Sequence, residues 1–324
     1  MEKGVVNEYA VSPKIAASTV SIVRLLDNFG VAHGRMISEL PEAWLTKARE
    51  ESDRQLFLNK KSNGSQDALQ RDDFLNQMFK DRKMYFLESN RLVVGENWRQ
   101  EVLASHKQKP FAGIFDYGAQ NDDLFLDLEA ARFTDPDNPA FQPIKITLKR
   151  NCEPQEFMDA LGIIPDYGVE YKIIDRNFNP KVKKWYKNIE KLLERLQERS
   201  RTKTNEGGRI KVELVLADGK RFPKTGFEAY TPYQRDEFIE AIQENLSSVI
   251  GDLDFRVLFY PFDKMHARYI LSERFGVWLD EGVDQDLNNE RAQPVTRLDA
   301  ETRDEQFEMF HEYDATHCHP FGKD

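Results

Sequence analysis

A basic cluster that contains a histidine carries the residue types best suited to phosphate chemistry. Lys264, His266 and Arg268 lie within five residues of one another near the C-terminal end. If His266 and Arg268 occupy a strand, their spacing of two places both side chains on one face. An imidazole beside a guanidinium can grip a phosphate or a carboxylate, and Glu273 could hold that imidazole in one orientation. The sequence therefore predicts an anion-binding site at this cluster.

Further basic residues upstream could extend this site. Residues 172–224 contain 16 Lys and Arg against 7 Asp and Glu, although the whole chain has a net charge of −10. Most charge runs are only solvated faces, but an asymmetry of this size favours an anionic ligand. Arg176 follows a predicted strand, and Lys184 and Lys187 lie on the polar face of the helix predicted next. Together with Lys264, these three residues are the predicted phosphate-binding residues.

Composition limits the class of protein. The 324 residues, 40% of them apolar, are enough for a packed core in one large domain or two smaller ones. No run reaches 18 apolar residues, and the opening residues lack an apolar core of signal length. The sequence thus predicts a cytoplasmic protein without a transmembrane segment, in which Cys152 and Cys318 are reduced packing residues.

The apolar pattern predicts an α/β fold. In the second half, predicted strands over 169–174, 210–216 and 255–259 alternate with predicted helices over 179–199 and 236–249. This order with short joints favours a mainly parallel sheet covered by helices. The first half is predicted to be a mixed α+β region without a catalytic signature. The predicted domains are therefore 1–160 and 161–324.

With this element order, the histidine cluster resembles the phospholipase D-like superfamily. Enzymes of that superfamily carry His-x-Lys, four further residues, Asp, and then Gly-Ser. Here the sequence reads His266-Ala-Arg268, four residues, and Glu273, with Gly282 downstream. The phrase is most similar to the single-copy module found C-terminal to MIT domains, whose Gly-Leu-Asp is matched by Gly282-Val283-Asp284. Bacterial proteins suspected of phage defence are also similar, and the resemblance covers about half of the chain, roughly residues 165 to 315.

The resemblance implies a mechanism that needs neither metal nor cofactor. His266 would attack phosphorus and form a phosphohistidine, while Arg268 would neutralise the charge on the phosphoryl oxygens. A second histidine, from a second copy of the motif, would protonate the leaving oxygen. A chain with one copy would therefore act as a homodimer. The implied activity is that of a phosphodiesterase or nuclease acting on nucleic acid, in a bacterial antiviral defence system.

Other interpretations of the same cluster stay open. A non-catalytic module could use this basic face to bind nucleic acid, an anionic lipid or a protein partner in a multi-component system. Arg268 could instead form a structural ion pair with Asp175, Asp280 or Asp284, and His266 could be a satisfied core histidine. The segment His33-Gly34-Arg35 echoes the motif, but its surroundings favour a joint between helices, so a homodimer is the preferred source of a second histidine.

Two further groups contain possible metal ligands. The first group lies near the C-terminal end and consists of three histidines and a cysteine: His311, His317, Cys318 and His319. The second group lies in the first half and consists of four aspartates: Asp116, Asp122, Asp123 and Asp127. The first group is crowded, and the second lacks the strand with Glu-x-Lys that metal-dependent nucleases use. No metal site is therefore predicted.

Overall fold

The computed structural model describes residues 4–40, 43–58, 64–88, 91, 94–119, 124–132, 145–203, 208–222, 226–280, 282–283 and 291–321. The chain forms two units, one of Val6–Pro143 and one of Met1–Val5 with Ile144–Asp324. The divide thus falls earlier than the predicted boundary at residue 160, because the strand Lys145–Lys149 pairs into the sheet of the second unit.

The N-terminal unit is built on a parallel sheet. Its elements are β1 (Asn7–Val11), α1 (Thr19–Asn28), β2 (Arg35–Ser38), α2 (Trp44–Leu58), α3 (Gly64–Lys80), α4 (Arg82–Tyr85), β3 (Phe86–Leu87), α5 (Trp98–Gln108), β4 (Ile114–Phe115) and β5 (Phe125–Leu126). The strand order is β3-β2-β1-β4-β5, and every pairing described is parallel. This half is therefore α/β in character, not the α+β region that the sequence predicted.

Helices cover both faces of this sheet. Tyr9 belongs to a core cluster with residues of α1, α2 and α3, whereas its neighbour Ala10 belongs to a separate cluster with Val102 of α5. Successive side chains of a strand point to opposite faces, so α1 and α5 lie on opposite sides of β1. The winding direction changes between β1 and β4, which is the arrangement at which open α/β sheets usually hold a ligand.

The C-terminal unit has a mixed sheet. Its elements are β6 (Lys145–Lys149), α6 (Pro154–Leu161), β7 (Glu170–Ile174), α7 (Lys183–Lys203), β8 (Lys211–Ala217), β9 (Lys220–Phe222), β10 (Gly226–Glu228), α8 (Pro232–Ile250), β11 (Asp254–Tyr260), β12 (Tyr269–Ser272), β13 (Gly276–Leu279), β14 (Ala292–Arg297), α9 (Ala300–Met309) and β15 (His317–Phe321). The strand order is β15-β11-β8-β7-β12-β13-β14-β6, with β9 and β10 pairing separately. Only β7, β8 and β11 are parallel among the strands described, so the prediction of a mainly parallel sheet was wrong.

The parallel strands define one important edge. The chain passes from β7 through α7 to β8, and through α8 to β11. It then leaves the carboxyl end of β11 and enters β12, which pairs antiparallel with β7 on the other side of β8. Residues 261–268 must therefore cross the carboxyl ends of β8 and β7. We call this segment the crossing loop.

Two general predictions can be compared with these elements. Among the residues described, no helix combines the length and apolar character needed to cross a membrane. Cys152 and Cys318 are both free, and burial raises the pKa of each thiol to about 11. Thiols with such pKa values stay protonated and unreactive near neutral pH, as expected of packing residues.

Candidate phosphate site at the carboxyl edge of the C-terminal sheet

His266 lies in the crossing loop and not on a strand. It precedes β12, which begins at Tyr269, so the predicted strand alternation does not place His266 and Arg268 on one face. The His266 side chain is exposed, and no hydrogen bond or ion pair reaches it from the part of the chain that is described. The interpretation as a satisfied core histidine was therefore wrong. Lys264, which closes a short turn in the same loop, is also exposed.

Arg268 is held in a structural ion pair. Its Nε lies 3.7 Å from Oδ1 of Asp175, which is completely buried, and the guanidinium also donates to the backbone carbonyl of Asp280. Gly282 packs directly on this pair with φ of +107°, and an added Cβ would lie 2.6 Å from Oδ2 of Asp175. The ion-pair alternative for Arg268 is thus confirmed, and its side chain is only 17% exposed.

Asp175 organises the end of β7. Its Oδ1 accepts a hydrogen bond from the Asn177 amide at 2.8 Å, and its Oδ2 accepts one from the Val283 amide at 3.2 Å. The side-chain amide of Asn188, on α7, donates to the Val283 carbonyl at 2.9 Å. The Gly282-Val283 segment, which carries part of the sequence resemblance, is therefore clamped to this edge. The sequence offered Asp175 as a possible partner of Arg268 but did not indicate that it would also bind the Val283 amide.

Arg176 lies beneath the crossing loop. Its guanidinium donates to the backbone carbonyl of Met265 at 3.3 Å and lies over the Phe262 ring, 5.4 Å from the centroid. Met265 is fully buried and anchors the loop between exposed Lys264 and exposed His266. The fold therefore brings three predicted site residues, Arg176, Lys264 and His266, to the same edge.

Glu273 lies at the opposite edge of the sheet. Its carboxylate accepts hydrogen bonds from the backbone amides of Val169 at 2.8 Å and Glu170 at 3.2 Å, at the start of β7. The register pairs the first residue of β12 with the last residue of β7, so β12 runs away from His266 towards that start. At about 3.3 Å per residue, the four residues of β12 span roughly 13 Å. The predicted role of Glu273 in orienting His266 was therefore wrong.

Several basic residues of α7 are neutralised by ion pairs. Lys191 pairs with Glu194 at 2.9 Å, Arg195 with Asp166 at 2.7 Å, and Arg201 with Asp252 at 2.6 Å. Lys187 is half-buried, and the side chain of Lys184 lies outside the described part of the structure. The local excess of positive charge in the sequence therefore overstates the charge available to a ligand.

A buried carboxylate fixes the neighbouring end of β8. Asp218 accepts two hydrogen bonds from the Arg235 guanidinium, at 2.8 and 2.9 Å, and one from the Thr316 hydroxyl at 2.6 Å. Arg235 belongs to the beginning of α8, and Thr316 immediately precedes β15. Asp218 therefore joins a helix and an edge strand to the carboxyl end of β8, a role that sequence reasoning missed.

The N-terminal sheet has its own carboxyl edge, at the change of winding direction. Asp116 follows β4 and pairs with Arg99 at 2.6 Å. Glu129 accepts hydrogen bonds from the hydroxyls of Ser18 and Ser21, at the start of α1. These polar groups therefore satisfy one another.

The other candidate groups do not assemble. His317 and His319 share one face of β15 while Cys318 points to the other, and His311 stacks on Tyr313. No group of three or more His, Cys, Asp or Glu side chains within the described ranges could hold a metal ion, and Asp122 and Asp123 lie outside those ranges.

The segment His33-Gly34-Arg35, whose sequence is similar to the motif, has a structural role. The prediction of a joint between helices was wrong, because Arg35 begins strand β2, which pairs with β1. Arg35 is buried there, and its guanidinium donates to the Asn28 carbonyl at 3.1 Å. Burial lowers the pKa of Arg35, while its hydrogen bond to Tyr9 acts in the opposite direction. A guanidinium committed in this way cannot serve as a phosphate clamp.

Comparison with known proteins adds little to this geometry. No protein-family model matches the chain, and no curated protein matches it. A solved structure that matches is that of TrmBL2, described as an archaeal chromatin protein that shows a novel mode of DNA binding. It is 13% identical, the match covers 91% of each chain, and the TM-score is 0.28. A TM-score this low supports neither a fold nor a functional assignment.

Proposed function

We propose that the C-terminal unit is a phospholipase D-like recognition module that binds phosphodiester groups of nucleic acid at the carboxyl edge of its sheet. The observation that carries the proposal is the crossing loop, which presents Lys264 and His266 to solvent above Arg176. Ammonium, imidazolium and guanidinium groups all donate to phosphate oxygens, and the guanidinium can donate two bonds at once. Lys264 and His266, two exposed donors on one loop, therefore fit a phosphate group of the backbone, while Arg176 supports the loop from beneath through the Met265 carbonyl.

Recognition is favoured over catalysis by the surroundings of the imidazole. A nucleophilic histidine works when a second group orients it and an acid protonates the leaving oxygen. Glu273 is at the far edge, and the Arg268 guanidinium is engaged by Asp175 and Asp280. Neither residue is placed to perform the role that the superfamily motif assigns to its position.

A metal-independent nuclease is the second candidate, because the His266 side chain is exposed and unengaged by any residue described. In a homodimer, two copies of His266 facing each other across a two-fold axis would supply the nucleophile and the acid. A protein partner or an anionic lipid would be held by the same donors, and these remain alternative outcomes of the binding test.

The binding test compares variants of exposed basic residues. We expect Lys264→Glu to weaken binding of labelled DNA and RNA about tenfold at low salt, and to reduce the salt dependence of the affinity, because one phosphate contact is lost. Lys14→Glu is the matched control, since Lys14 is an exposed lysine of the N-terminal unit. Equal effects of the two variants, or no binding by the wild type, would overturn the proposal.

A cleavage test separates the two candidates. Wild type and His266→Ala are incubated with DNA and RNA in the presence of EDTA. Cleavage that survives EDTA and is lost in the variant would establish the nuclease. Intact binding with no cleavage by either protein would establish the recognition module.

A further inference from the structure

The exposed side of α9 is strongly acidic. Residues 299–316 contain seven Asp and Glu but only one Lys or Arg, the buried Arg303. Exposed carboxylates recur in this helix at the spacing of one helix face and continue into the short turn Glu312–Asp314. We call the six residues that carry them the acidic face: Glu301, Asp304, Glu305, Glu308, Glu312 and Asp314.

This arrangement destabilises the helix that carries it. Like charges three or four residues apart on a helix repel, and Glu301 stands at that spacing from Asp304 and Glu305. Glu308 stands at the same spacing from the same two residues and also lies in the last turn of α9, where the helix dipole disfavours a negative charge. A positively charged ligand would relieve this repulsion.

Few cations of the protein itself reach the acidic face. Arg303 pairs with Asp304 at 2.5 Å, and Arg256 of β11 pairs with Glu312. Three carboxylates have no ion pair with any residue described: Glu301, Glu305 and Asp314. Much of the negative charge is therefore available to a partner.

Two apolar side chains lie open among these carboxylates. Met309 is 49% exposed and Tyr313 is 81% exposed, and both residue types are enriched at protein interfaces. The Tyr313 ring stacks on the His311 ring with centroids 5.2 Å apart and an angle of 11° between the planes. His311 Nε2 in turn lies 2.7 Å from a carboxylate oxygen of Glu308. One side of the Tyr313 ring is thus supported, and the other side can stack on a planar cation.

A buried hydroxyl close to this ring lacks a hydrogen-bond partner. Tyr260 is 2% exposed, and its ring packs edge-on against Phe310, with centroids 5.3 Å apart. Its hydroxyl makes no hydrogen bond with the residues described. Burial, and then the Asp314 carboxylate, raise the pKa of Tyr260, so the hydroxyl lies close enough to Asp314 to feel its charge. Buried polar groups without partners are rare, so this one indicates a group supplied from outside.

We infer that the acidic face binds an arginine-bearing basic segment of a partner protein. One guanidinium would stack on Tyr313 and donate to Asp314 and to the Tyr260 hydroxyl oxygen, while further cations would pair with Glu301 and Glu305. A guanidinium fits because it is planar and weakly hydrated and presents several donors at once. Nucleic acid and anionic lipid would be repelled by the same carboxylates, so this surface serves a ligand different from that of the crossing loop.

The binding experiment uses the full chain and two peptides of equal charge, octa-arginine and octa-lysine. We expect octa-arginine to bind about fivefold more tightly, because a guanidinium stacks on an aromatic ring better than an ammonium does. Glu305→Gln combined with Asp314→Asn should weaken octa-arginine binding about tenfold, since two unpaired carboxylates are lost. The matched control is Glu240→Gln combined with Glu244→Gln, which removes two exposed carboxylates from α8 and should weaken binding about twofold or less.

Variants of the two tyrosines test how the guanidinium is held. Tyr313→Ala should remove the preference for octa-arginine over octa-lysine, and Tyr313→Phe should keep it, because stacking does not require the hydroxyl. Tyr260→Phe should weaken octa-arginine binding about threefold without lowering the free energy of unfolding, because the hydroxyl that it removes has no partner in the unbound protein. Unchanged binding in Tyr260→Phe and in Tyr313→Ala would overturn the proposed arginine site.

Amide hydrogen exchange locates the bound peptide. Octa-arginine should slow exchange at the amides of Asp314, Ala315 and Thr316, which donate to backbone carbonyls beside the acidic face. Equal weakening by the two double variants would show that net charge alone attracts the peptide, and would overturn the inference. Absence of octa-arginine binding at low salt would overturn it as well.

The outcome is independent of the proposed function. Glu305→Gln combined with Asp314→Asn should leave binding of nucleic acid unweakened, and Lys264→Glu should leave binding of octa-arginine unweakened. Loss of octa-arginine binding in Lys264→Glu would place the peptide at the crossing loop and overturn its assignment to the acidic face.

Discussion

The carboxyl edges of the two sheets differ in how they treat their polar groups. The N-terminal sheet has the parallel strand order and the change of winding that usually mark a ligand site. Yet Asp116 is paired with Arg99 there, and Glu129 is held by two serines. The C-terminal sheet is mostly antiparallel, but its crossing loop exposes Lys264 and His266. Uncommitted donors, more than strand order, therefore identify the candidate site in this protein.

The interiors of the two units show a related difference. Each sheet buries a glutamate between two cations. Glu8 on β1 is held by Arg91 at 2.8 Å and by Lys109 at 3.6 Å, both from outside the strands. Glu213 on β8 is held by Lys211 at 2.9 Å and by Lys172 at 3.6 Å, from the sheet itself. The first arrangement ties connecting segments to a central strand, whereas the second ties neighbouring strands together.

The buried lysine of the C-terminal unit has a second set of partners. The Lys172 ammonium donates to the carbonyls of Phe307, at 2.8 Å, and Phe310, at the end of α9. Cations stabilise the carboxyl end of a helix because its last carbonyls lack partners within the helix. Burial lowers the pKa of Lys172, while the Glu213 carboxylate acts in the opposite direction. The Arg91 partner of Glu8 is supported in the same way, because its guanidinium donates to the carbonyls of Ser105 and Lys109 at the end of α5.

The largest stability effect is expected at Glu8. Burial alone would raise its pKa, but hydrogen bonds and charges from Arg91 and Lys109 hold that pKa below the ordinary value of 4.5. Because the folded pKa is lowered, the stabilisation is present above about pH 4.5 and is lost as the pH falls through the folded pKa. Glu8→Gln should therefore lower the free energy of unfolding by about 3 kcal/mol at neutral pH, since it leaves Arg91 buried without a counter-charge.

Urea unfolding across the pH range measures this effect. The difference in unfolding free energy between wild type and Glu8→Gln should be greatest near neutral pH and should shrink as the pH falls below about 4.5. A matched Glu194→Gln variant removes a carboxylate from an exposed ion pair on α7 and should change stability little at any pH. A difference at Glu8 that did not depend on pH would show that packing, and not charge, makes the contribution.

Smaller losses of stability are expected from substitution of Asp175, which follows β7, and of Asp116, which follows β4. Asp175 is fully buried against an Arg268 side chain that is 17% exposed, whereas the Arg99 partner of Asp116 is 53% exposed. Asp175→Asn should cost about 2 kcal/mol, because the amide cannot replace the charge beside Arg268 but can still accept one backbone hydrogen bond. Asp116→Asn should cost about 1 kcal/mol or less, because its partner is mostly hydrated.

Amide hydrogen exchange shows where Asp175→Asn acts in the structure. The Val283 amide, which donates to Asp175, should exchange faster in Asp175→Asn and remain unchanged in Asp116→Asn. If both variants lowered the free energy of unfolding by the same amount, burial of the ion pair would not determine how much it contributes to stability.

The smallest effect is expected at Glu273. Glu273→Gln should change stability by no more than about 1 kcal/mol, because an exposed carboxylate that accepts two backbone hydrogen bonds is replaced by an amide that accepts one. Nucleic-acid binding should be unchanged, since the residue lies at the edge opposite the crossing loop. If Glu273→Gln abolished an EDTA-resistant cleavage as His266→Ala does, the orienting role predicted from the sequence would be restored.

The sequence predicted the long elements of the C-terminal unit well. The strands predicted over 210–216 and 255–259 correspond to Lys211–Ala217 and Asp254–Tyr260, and the helix predicted over 236–249 lies within Pro232–Ile250. Each of these has enough residues to show a strand or helix period. In the first half the central strands β1 and β2 were not predicted. All residues of these strands are buried, polar ones included, so they show no alternation of apolar and polar side chains. The parallel sheet was missed for that reason.

By itself the sequence determined which residues could bind phosphate and which long segments form the central strands and helices. These properties depend on residue type and local periodicity, which can be read along the chain. Only the tertiary structure decided that Arg268 belongs to Asp175, that Glu273 lies far from His266, and that Asp218 joins α8 and the start of β15 to the end of β8. Those relations depend on which strands pair and in which direction. Strand pairing is set by packing between distant segments, so the spacing of residues along the chain cannot specify it.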